Sequence, residues 1–396
     1  MTLMTVAAAK ARILNGAEPL GGEAVSLYEA RGRVLADGLR AKLTQPPFDA
    51  SAMDGYAVRA EDVRTVPVSL KVVGTSAAGH GFAGSVGQQE AVRIFTGAPL
   101  PEGASTVVIQ ENTKTEAPSA VTILDNAPAG KNIRLRGYDF KEGEVLIPAG
   151  TRLESRHLML AAAMNHPTLP VRRRPVVAVL ANGDELVPPG TIPSASQIVS
   201  SIPAGIKPAV EAWGAEVLLL DIARDSKESI AACVLAGARA DILLTIGGAS
   251  VGEHDLVRST LEARGARFEV LKAALRPGKP VMFGFMGAQR VLSLPGNPAS
   301  AMICARVFLK PLIDALLGLE TAEPLQQLPR ARAIEANGSR EHYMRAMTSA
   351  GAVAPIADQD SSLMNAFANS DCLIVRPVNA SALPEGALVP VISLDF

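Results

Sequence analysis

The segment Thr245-Ile246-Gly247-Gly248-Ala249-Ser250-Val251-Gly252-Glu253-His254-Asp255 decides the fold. It joins a buried strand over 242–246 to a helical pattern over 255–263. A short apolar strand, a glycine-rich turn and a helix form the repeating unit of a parallel sheet covered on both faces. The same alternation surrounds it. Residues 176–180 read as a strand, 203–213 as a helix, 217–220 as a strand and 226–236 as a helix. This order predicts a doubly wound, parallel α/β domain over 171–318. Its last helix opens at Asn297-Pro298, with Asn as N-cap and Pro at the first helical position, and Pro311 is expected to kink or split it.

Outward from this domain the texture changes. Val6, Ile13 and Leu14 fit one helix that ends at Asn15-Gly16. A second helix is expected over 25–36, and helical spacing returns over 155–165. Between them, from Pro46-Pro47 onward, short strands at 68–73, 91–95 and 106–109 alternate with Gly and Pro turns. Region 1–170 therefore reads as helical with an inserted β domain at about 47–145. Region 319–396 carries short β pieces, 373–375 and 388–393 among them, and predicts a small β-barrel or β-sandwich. The whole is a multidomain α/β protein.

Composition bounds the function. The chain has 396 residues, formal net charge -1, 48% hydrophobic residues and 4% aromatics. Near-neutrality argues against a general nucleic-acid binder, which needs a large positive excess. No apolar run reaches the ~20 residues that span a bilayer, so no membrane partner is expected. The first residues lack a basic segment followed by an apolar one, so no signal peptide is expected. Three cysteines, Cys233, Cys304 and Cys372, lie far apart and read as free thiols in a reducing cytoplasm. The five histidines show no zinc spacing.

Several segments carry chemistry. Gly247, Gly248 and Gly252 let backbone N–H groups approach an anion at a strand's carboxyl end, although a ligand-free turn has the same pattern. Asp255 and Glu253 place carboxylates beside that site, which suits a bridging Mg²⁺; Asp255 equally suits its own helix dipole. Arg276-Pro277-Gly278-Lys279-Pro280 fixes two cations on a proline-stiffened turn, a device for an oxyanion or simply a solvated basic turn. Ser293-Leu294-Pro295-Gly296-Asn297-Pro298-Ala299-Ser300 delivers a second glycine turn onto a helix. Asn182-Gly183-Asp184-Glu185-Leu186 and Arg224-Asp225 offer acidic groups beside two further strands. Three loops of the inserted domain, 46–58, 93–103 and 134–139, concentrate small and polar residues. No Ser-His-Asp or Cys-His order is legible, which disfavours a side-chain nucleophile.

Together these segments resemble one family, the molybdopterin molybdenumtransferases (MoeA and gephyrin E-domain). The matching stretches are PPFDASAMDGYAVRAED (46–62), RIFTGAPLPEGASTVVIQEN (93–112), NIRLRGYDFKEGEVLIPAGTRL (132–153), NGDEL (182–186), GGASVGEHD (247–255), RPGKP (276–280) and SLPGNPASA (293–301). They occur in the family's order over nearly the whole chain. The resemblance implies a helical region with an inserted β domain, an α/β domain similar to molybdopterin adenylyltransferases, a C-terminal β-barrel, and a homodimer with a cleft shared between protomers. It implies a reaction in which molybdate is ligated to adenylylated molybdopterin and AMP is released, with Mg²⁺ as cofactor.

On that resemblance Asp255 is the metal-binding or catalytic carboxylate, and Glu185 and Asp225 assist, Glu185 as a second metal ligand. Gly247, Gly248, Ser250 and Gly252 cradle phosphate. Arg276, Lys279, Pro280 and Ser300 bind the oxyanion, completed by Arg345 with Ser361 or Ser362. Asp54, Thr96 and Asp139 reach in from the partner protomer. Contact with a molybdopterin adenylyltransferase and with apo-molybdoenzymes is a further expectation. The chain departs from the family pattern at Arg276, where Lys is usual, at Asn182, where the family often has Thr, and at Ser200 and Ile202, where many members have Asp and Asn. The last pair leaves open a second reading, a non-catalytic module that binds or delivers molybdopterin species.

Overall fold

A computed structural model describes residues 3–248, 256–322 and 325–394. Its centre is a six-stranded sheet in the order Glu216–Leu219, Val176–Ala181, Ile242–Ile246, Gln289–Leu294, Met282–Met286, Arg267–Val270. The first four strands run parallel. Ile242–Ile246 and Gln289–Leu294 are buried at every residue, polar Thr245, Gln289, Arg290 and Ser293 included, as strands of a sheet covered on both faces are. Met282–Met286 runs antiparallel to both its neighbours, so Arg267–Val270 at the edge points the same way as the first four. Gly287, with φ +62°, turns Met282–Met286 directly back into Gln289–Leu294, so the sheet is mixed at that edge.

The final helix follows the proline logic. Asn297 sits at the N-cap position of Pro298–Cys304, but its side-chain amide is turned to Ser361 Oγ at 2.9 Å. Pro311 lacks the N–H that an α-helix needs, and the chain answers with a π turn at Ala305–Leu309 before Lys310–Leu317.

The helix Val6–Leu14 forms as expected, capped by Thr5, whose Oγ1 accepts from Ala8 N at 3.2 Å. Val6, Ala9 and Ile13 pack into the core of the α/β sheet with Phe308 and Leu312. The expected helix over 25–36 does not exist. Gly22–Ser26 is instead a strand paired antiparallel with Thr168–Arg172, followed by one 3-10 turn, Leu27–Glu29. Cross-strand pairing overrides local propensity here. The helix Ser155–Ala163 completes this part around Leu35, Leu39, Phe140, Ile147 and Leu169.

The inserted β domain is a second six-stranded sheet, ordered Thr106–Ile109, Gly55–Val58, Glu90–Ile94, Val68–Ser76, Ala120–Ile123, Thr113–Ala117. Gly55–Val58 is buried throughout, with Tyr56 and Val58 in one core and Ala57 in the other. Gly55 sits where backbones nearly touch: a Cβ there would come 1.9 Å from Val108 O. The C-terminal part is a small barrel. Gln326–Pro329, Leu388–Ser393, Cys372–Arg376, Glu341–Ser349 and Ala352–Pro355 pair in sequence, and a bridge from Arg330 to Val353 closes the ring. The short strand Leu275–Arg276, between the α/β elements in sequence, pairs with this barrel at Glu341-His342.

All three cysteines are free. Burial pushes the Cys372 thiol up to about 12 and raises that of Cys304 further, so neither is a reactive thiolate. Among the described residues, no helix is long and apolar enough to cross a membrane.

Gly55→Ala should drive a methyl into the neighbouring strand's carbonyl. We expect a loss of about 1–3 kcal/mol, the usual overpacking cost, read as a lower urea midpoint.

Candidate active site

Parallel register brings three strand ends level. Ala181 pairs with Ile246, and Ile246 with Leu294. The next residues, Asn182, Gly247 and Pro295, open a cleft of about 740 Å³. Ligands are expected at this end of an open parallel sheet. Glu185, Asp225, Lys279, Pro280, Gly247 and Gly248 all line it. Six of the sequence-derived site residues therefore meet in one place although they span about a hundred positions. Ser250, Gly252 and Asp255 lie outside the described residues.

The acidic rim is held by its own backbone. Asp225 N donates to Asp184 Oδ1 at 3.2 Å, and Asp184 N to Asp225 Oδ2 at 3.4 Å. Asn182 Nδ2 donates to Asp225 Oδ1 at 3.4 Å. Asn182 Oδ1 is buried and accepts no hydrogen bond. Sequence reading noted Asn182 only as a departure from the family pattern. Among the described residues this acceptor has no donor, and Asn182 itself lines the cleft.

The RPGKP turn divides its two cations. Gly278, with φ +109°, packs against the final helix so closely that a Cβ would fall 2.2 Å from Cys304 Sγ. Lys279 and Pro280 line the cleft, whereas Arg276 lines a different cavity, on the barrel.

Arg345 is fully buried. Its guanidinium donates to the carbonyls of Asp358 at 3.1 Å, Asp360 at 2.9 Å and Leu363 at 3.2 Å. It clamps the loop 358–363. That loop in turn holds the cleft: Ala299 N donates to Ser361 O at 3.1 Å, and Asn297, a cleft residue, donates to Ser361 Oγ. Ser362 bonds Asp360 within the loop. Ser300 is buried in the first turn of the same helix. Arg345 and Ser361 thus stand behind the cleft wall rather than in it.

Ser200 and Ile202 are not among the residues lining the cleft. Ser200 is buried, and Ile202 packs against the main core.

Asp54, Thr96 and Asp139 do not line the cleft either. Asp54 and Thr96 pair on the inserted domain, where the three special loops converge, and Asp139 ends the third of those loops. Ser51 and Gly97 exchange backbone bonds with Ala98 and Ser51, Ala52 N reaches Asn132 O, and Arg136 N donates to Asp49 Oδ1 at 2.7 Å. Thr96 donates to Asp54 Oδ1 through both its N–H and its hydroxyl, each at 2.7 Å, which holds the Asp54 carboxyl below its ordinary range. Arg93 stacks over Tyr56 and Phe95 with its guanidinium carbon 5.2 and 4.8 Å from the ring centres. Asp139 is exposed, and so are Phe48, Met53, Phe95, Leu135 and Tyr138 in the three loops.

Fold and site define a class: a multidomain α/β protein with an anion-adapted cleft at the strand ends. Known proteins make it specific. The MoeA N-terminal region (domains I and II) matches residues 4–165, a probable molybdopterin binding domain matches 178–315, and the MoeA C-terminal region (domain IV) matches 327–394. A molybdopterin molybdenumtransferase of Nostoc sp. is 38% identical over 81% of this chain and 76% of its own. That of Haemophilus influenzae is 33% identical over 94% of both. A solved structure of a molybdopterin biosynthesis MoeA protein from Pyrococcus horikosii covers 100% of both chains with TM-score 0.88 at 29% identity. The chain belongs to the molybdopterin molybdenumtransferase (MoeA) family.

Arg345→Met should leave three loop carbonyls without donors. We expect a stability loss of about 2–3 kcal/mol and faster hydrogen exchange at the Ala299 amide. Thr96→Val removes one of the two bonds to Asp54. The Asp54 pKa, followed by carboxyl-carbon NMR, should rise toward 3.8 without reaching it, because the backbone bond remains. Since the native value is depressed, whatever stability this contact gives is present above the unfolded pKa and fades as pH falls through the native one.

Proposed function

We propose that the protein ligates molybdate to the dithiolene of adenylylated molybdopterin and releases AMP, a step in molybdenum cofactor biosynthesis. The observation that carries this reading is the meeting of Glu185, Asp225, Lys279, Gly247 and Gly248 in one cleft, in a chain whose relatives carry that activity in their names.

The residues suit the chemistry. Among the described residues nothing accepts from the Gly248 N–H, which suits a phosphate, whereas the Gly247 N–H donates to Leu294 O at 3.1 Å. Lys279 supplies a fixed positive charge for molybdate or for charge developing as the pyrophosphate bond breaks. Arg345 and Ser361 hold Asn297 and the helix end in place from behind.

Mg²⁺ fits this donor set. Among the described residues no cluster of three or more metal-ligating side chains exists, but Mg²⁺ needs only one or two carboxylates beside substrate phosphates. Glu185 and Asp225 line the cleft, and Asp255 follows the glycine turn. Glu185 with Asp255 would hold the ion, which would neutralise phosphate charge when bound.

The inserted-domain cluster fits a homodimer in which Asp54, Thr96 and Asp139 serve the partner's cleft. What supports this is that they converge away from their own cleft, amid exposed apolar side chains. A non-catalytic delivery module rested on Ser200 and Ile202, and both stand off the cleft lining.

Purified protein with Mg²⁺ and adenylylated molybdopterin should release AMP only when molybdate is added; tight substrate binding without release would overturn the proposal. Asp255→Ala should abolish release with the fold intact by circular dichroism. Lys279→Ala should raise the molybdate concentration for half-maximal release about tenfold or more, the worth of one hydrogen bond to a charged group.

A further inference from the structure

The loop behind the cleft leaves the barrel through an opened rung. Glu341–Ser349 pairs with Ala352–Pro355 on one side and with Cys372–Arg376 on the other. The last pair of the first ladder is Ala346 with Pro355. One residue on, Ile356 N donates to Arg345 O at 2.9 Å, which is half of the reciprocal pair that an antiparallel rung makes. The other half is replaced. The Arg345 N–H donates to Gln359 Oε1 at 3.0 Å, and Ile356 O accepts from Gln359 Nε2 at 2.7 Å. The same Nε2 also donates to Arg345 O at 2.9 Å.

A side-chain carboxamide therefore stands in the rung where two peptide groups would meet. It can, because it copies a peptide: an acceptor oxygen beside donor N–H groups. Residues 356–363 belong to no strand or helix, so their backbone groups need partners from elsewhere. The Arg345 guanidinium takes the carbonyls of Asp358, Asp360 and Leu363. The Asp360 carboxylate accepts from Ser362 N at 2.9 Å and from its hydroxyl at 2.6 Å. Gln359 fixes the end of the loop that joins the strand. Two residues further on, Ser361 accepts from Asn297 Nδ2 at 2.9 Å and, through its carbonyl, from Ala299 N at 3.1 Å.

We propose that Gln359 is a positioning residue for the cleft: its carboxamide fixes where the chain leaves the barrel, and so holds Ser361 against Asn297 and the first turn of Pro298–Cys304. Gln359 is not among the residues lining the cleft, whereas Asn297 is, so it acts through Ser361. The Arg345 side chain leaves this task open, since it holds carbonyls at 358, 360 and 363 but not the exit at Ile356. Two-way bonding decides the residue type. Glu keeps the acceptor but sets a carboxylate against two carbonyls, and Ala removes donor and acceptor together. The consequence for turnover rests on the transferase reading; the hold on Ala299 does not.

The test uses the full-length protein and Gln359→Ala, read first by amide hydrogen exchange. The Ala299 amide should exchange about tenfold faster, the worth of one hydrogen bond, while Leu244 and Leu292 in the central sheet keep their rates. In the AMP-release assay the half-saturating concentration of adenylylated molybdopterin should rise about tenfold, because a cleft residue has lost its support. A merely structural role would lower the Tm and leave that concentration unchanged. In a Ser361→Ala background the same substitution should raise it by less, because Ser361 Oγ carries the contact to Asn297. An unchanged Ala299 rate, equal acceleration at every amide, an unchanged half-saturating concentration, or full additivity with Ser361→Ala would each overturn the proposal. Should Gln359→Ala fail to fold, Gln359→Glu, which keeps an acceptor for the Arg345 N–H, is read by the same measurements. If the unaltered protein releases no AMP, the transferase reading falls, and exchange at Ala299 alone decides this one.

Discussion

The level alignment of three parallel strand ends is the constraint on which the cleft depends. Ala181, Ile246 and Leu294 share one register, fixed by continuous ladders through the buried middle strands of the sheet. Inside the sheet Thr245 Oγ1 donates to Ser293 Oγ at 2.8 Å, so even its two buried hydroxyls are satisfied across those strands. A slip of one residue would turn every side chain to the opposite face and move each loop off the cleft. The acidic rim, the glycine turn and Asn297 owe their nearness to this ladder.

The barrel is tied to the cleft through a chain of contacts rather than by contributing its wall. Arg345 holds the loop 358–363 by three carbonyls, Ser361 holds Ala299 and Asn297, and Asn297 lines the cleft. A buried guanidinium is costly unless its donors are used, and here most are used on backbone that would otherwise be free to move. On the other side Gly278 packs against Cys304, and the short strand Leu275–Arg276 joins the barrel sheet. The cation-bearing turn is thereby pinned at both ends, one in each domain. The pinning separates Lys279 from Arg276 and gives each a different cavity.

Much of this was legible in the sequence. Apolar continuity marks 176–180 as a covered strand, the strand–helix alternation marks Ile242–Ile246 as another, and proline chemistry marks both the start of the last helix and its interruption. These are local constraints: a chain without an N–H, or an unbroken apolar run, has few alternatives wherever it is placed. The motifs also contain six residues that line the cleft, because strand–glycine–helix junctions announce themselves in sequence.

Tertiary structure alone decided the rest. Residues 22–26 became a strand because Thr168–Arg172 offered a partner almost a hundred and fifty positions away, which no local pattern reveals. Arg345 and Arg276 look alike in sequence, yet one is spent on loop carbonyls and the other faces a cavity, since strand pairing and burial assign a guanidinium its partners. Asn182 gained meaning only once it was found lining the cleft. The sequence determined which chemistry the protein carries. The three-dimensional packing determined which groups remain free to use it, because hydrogen-bond satisfaction is settled between residues far apart in the chain.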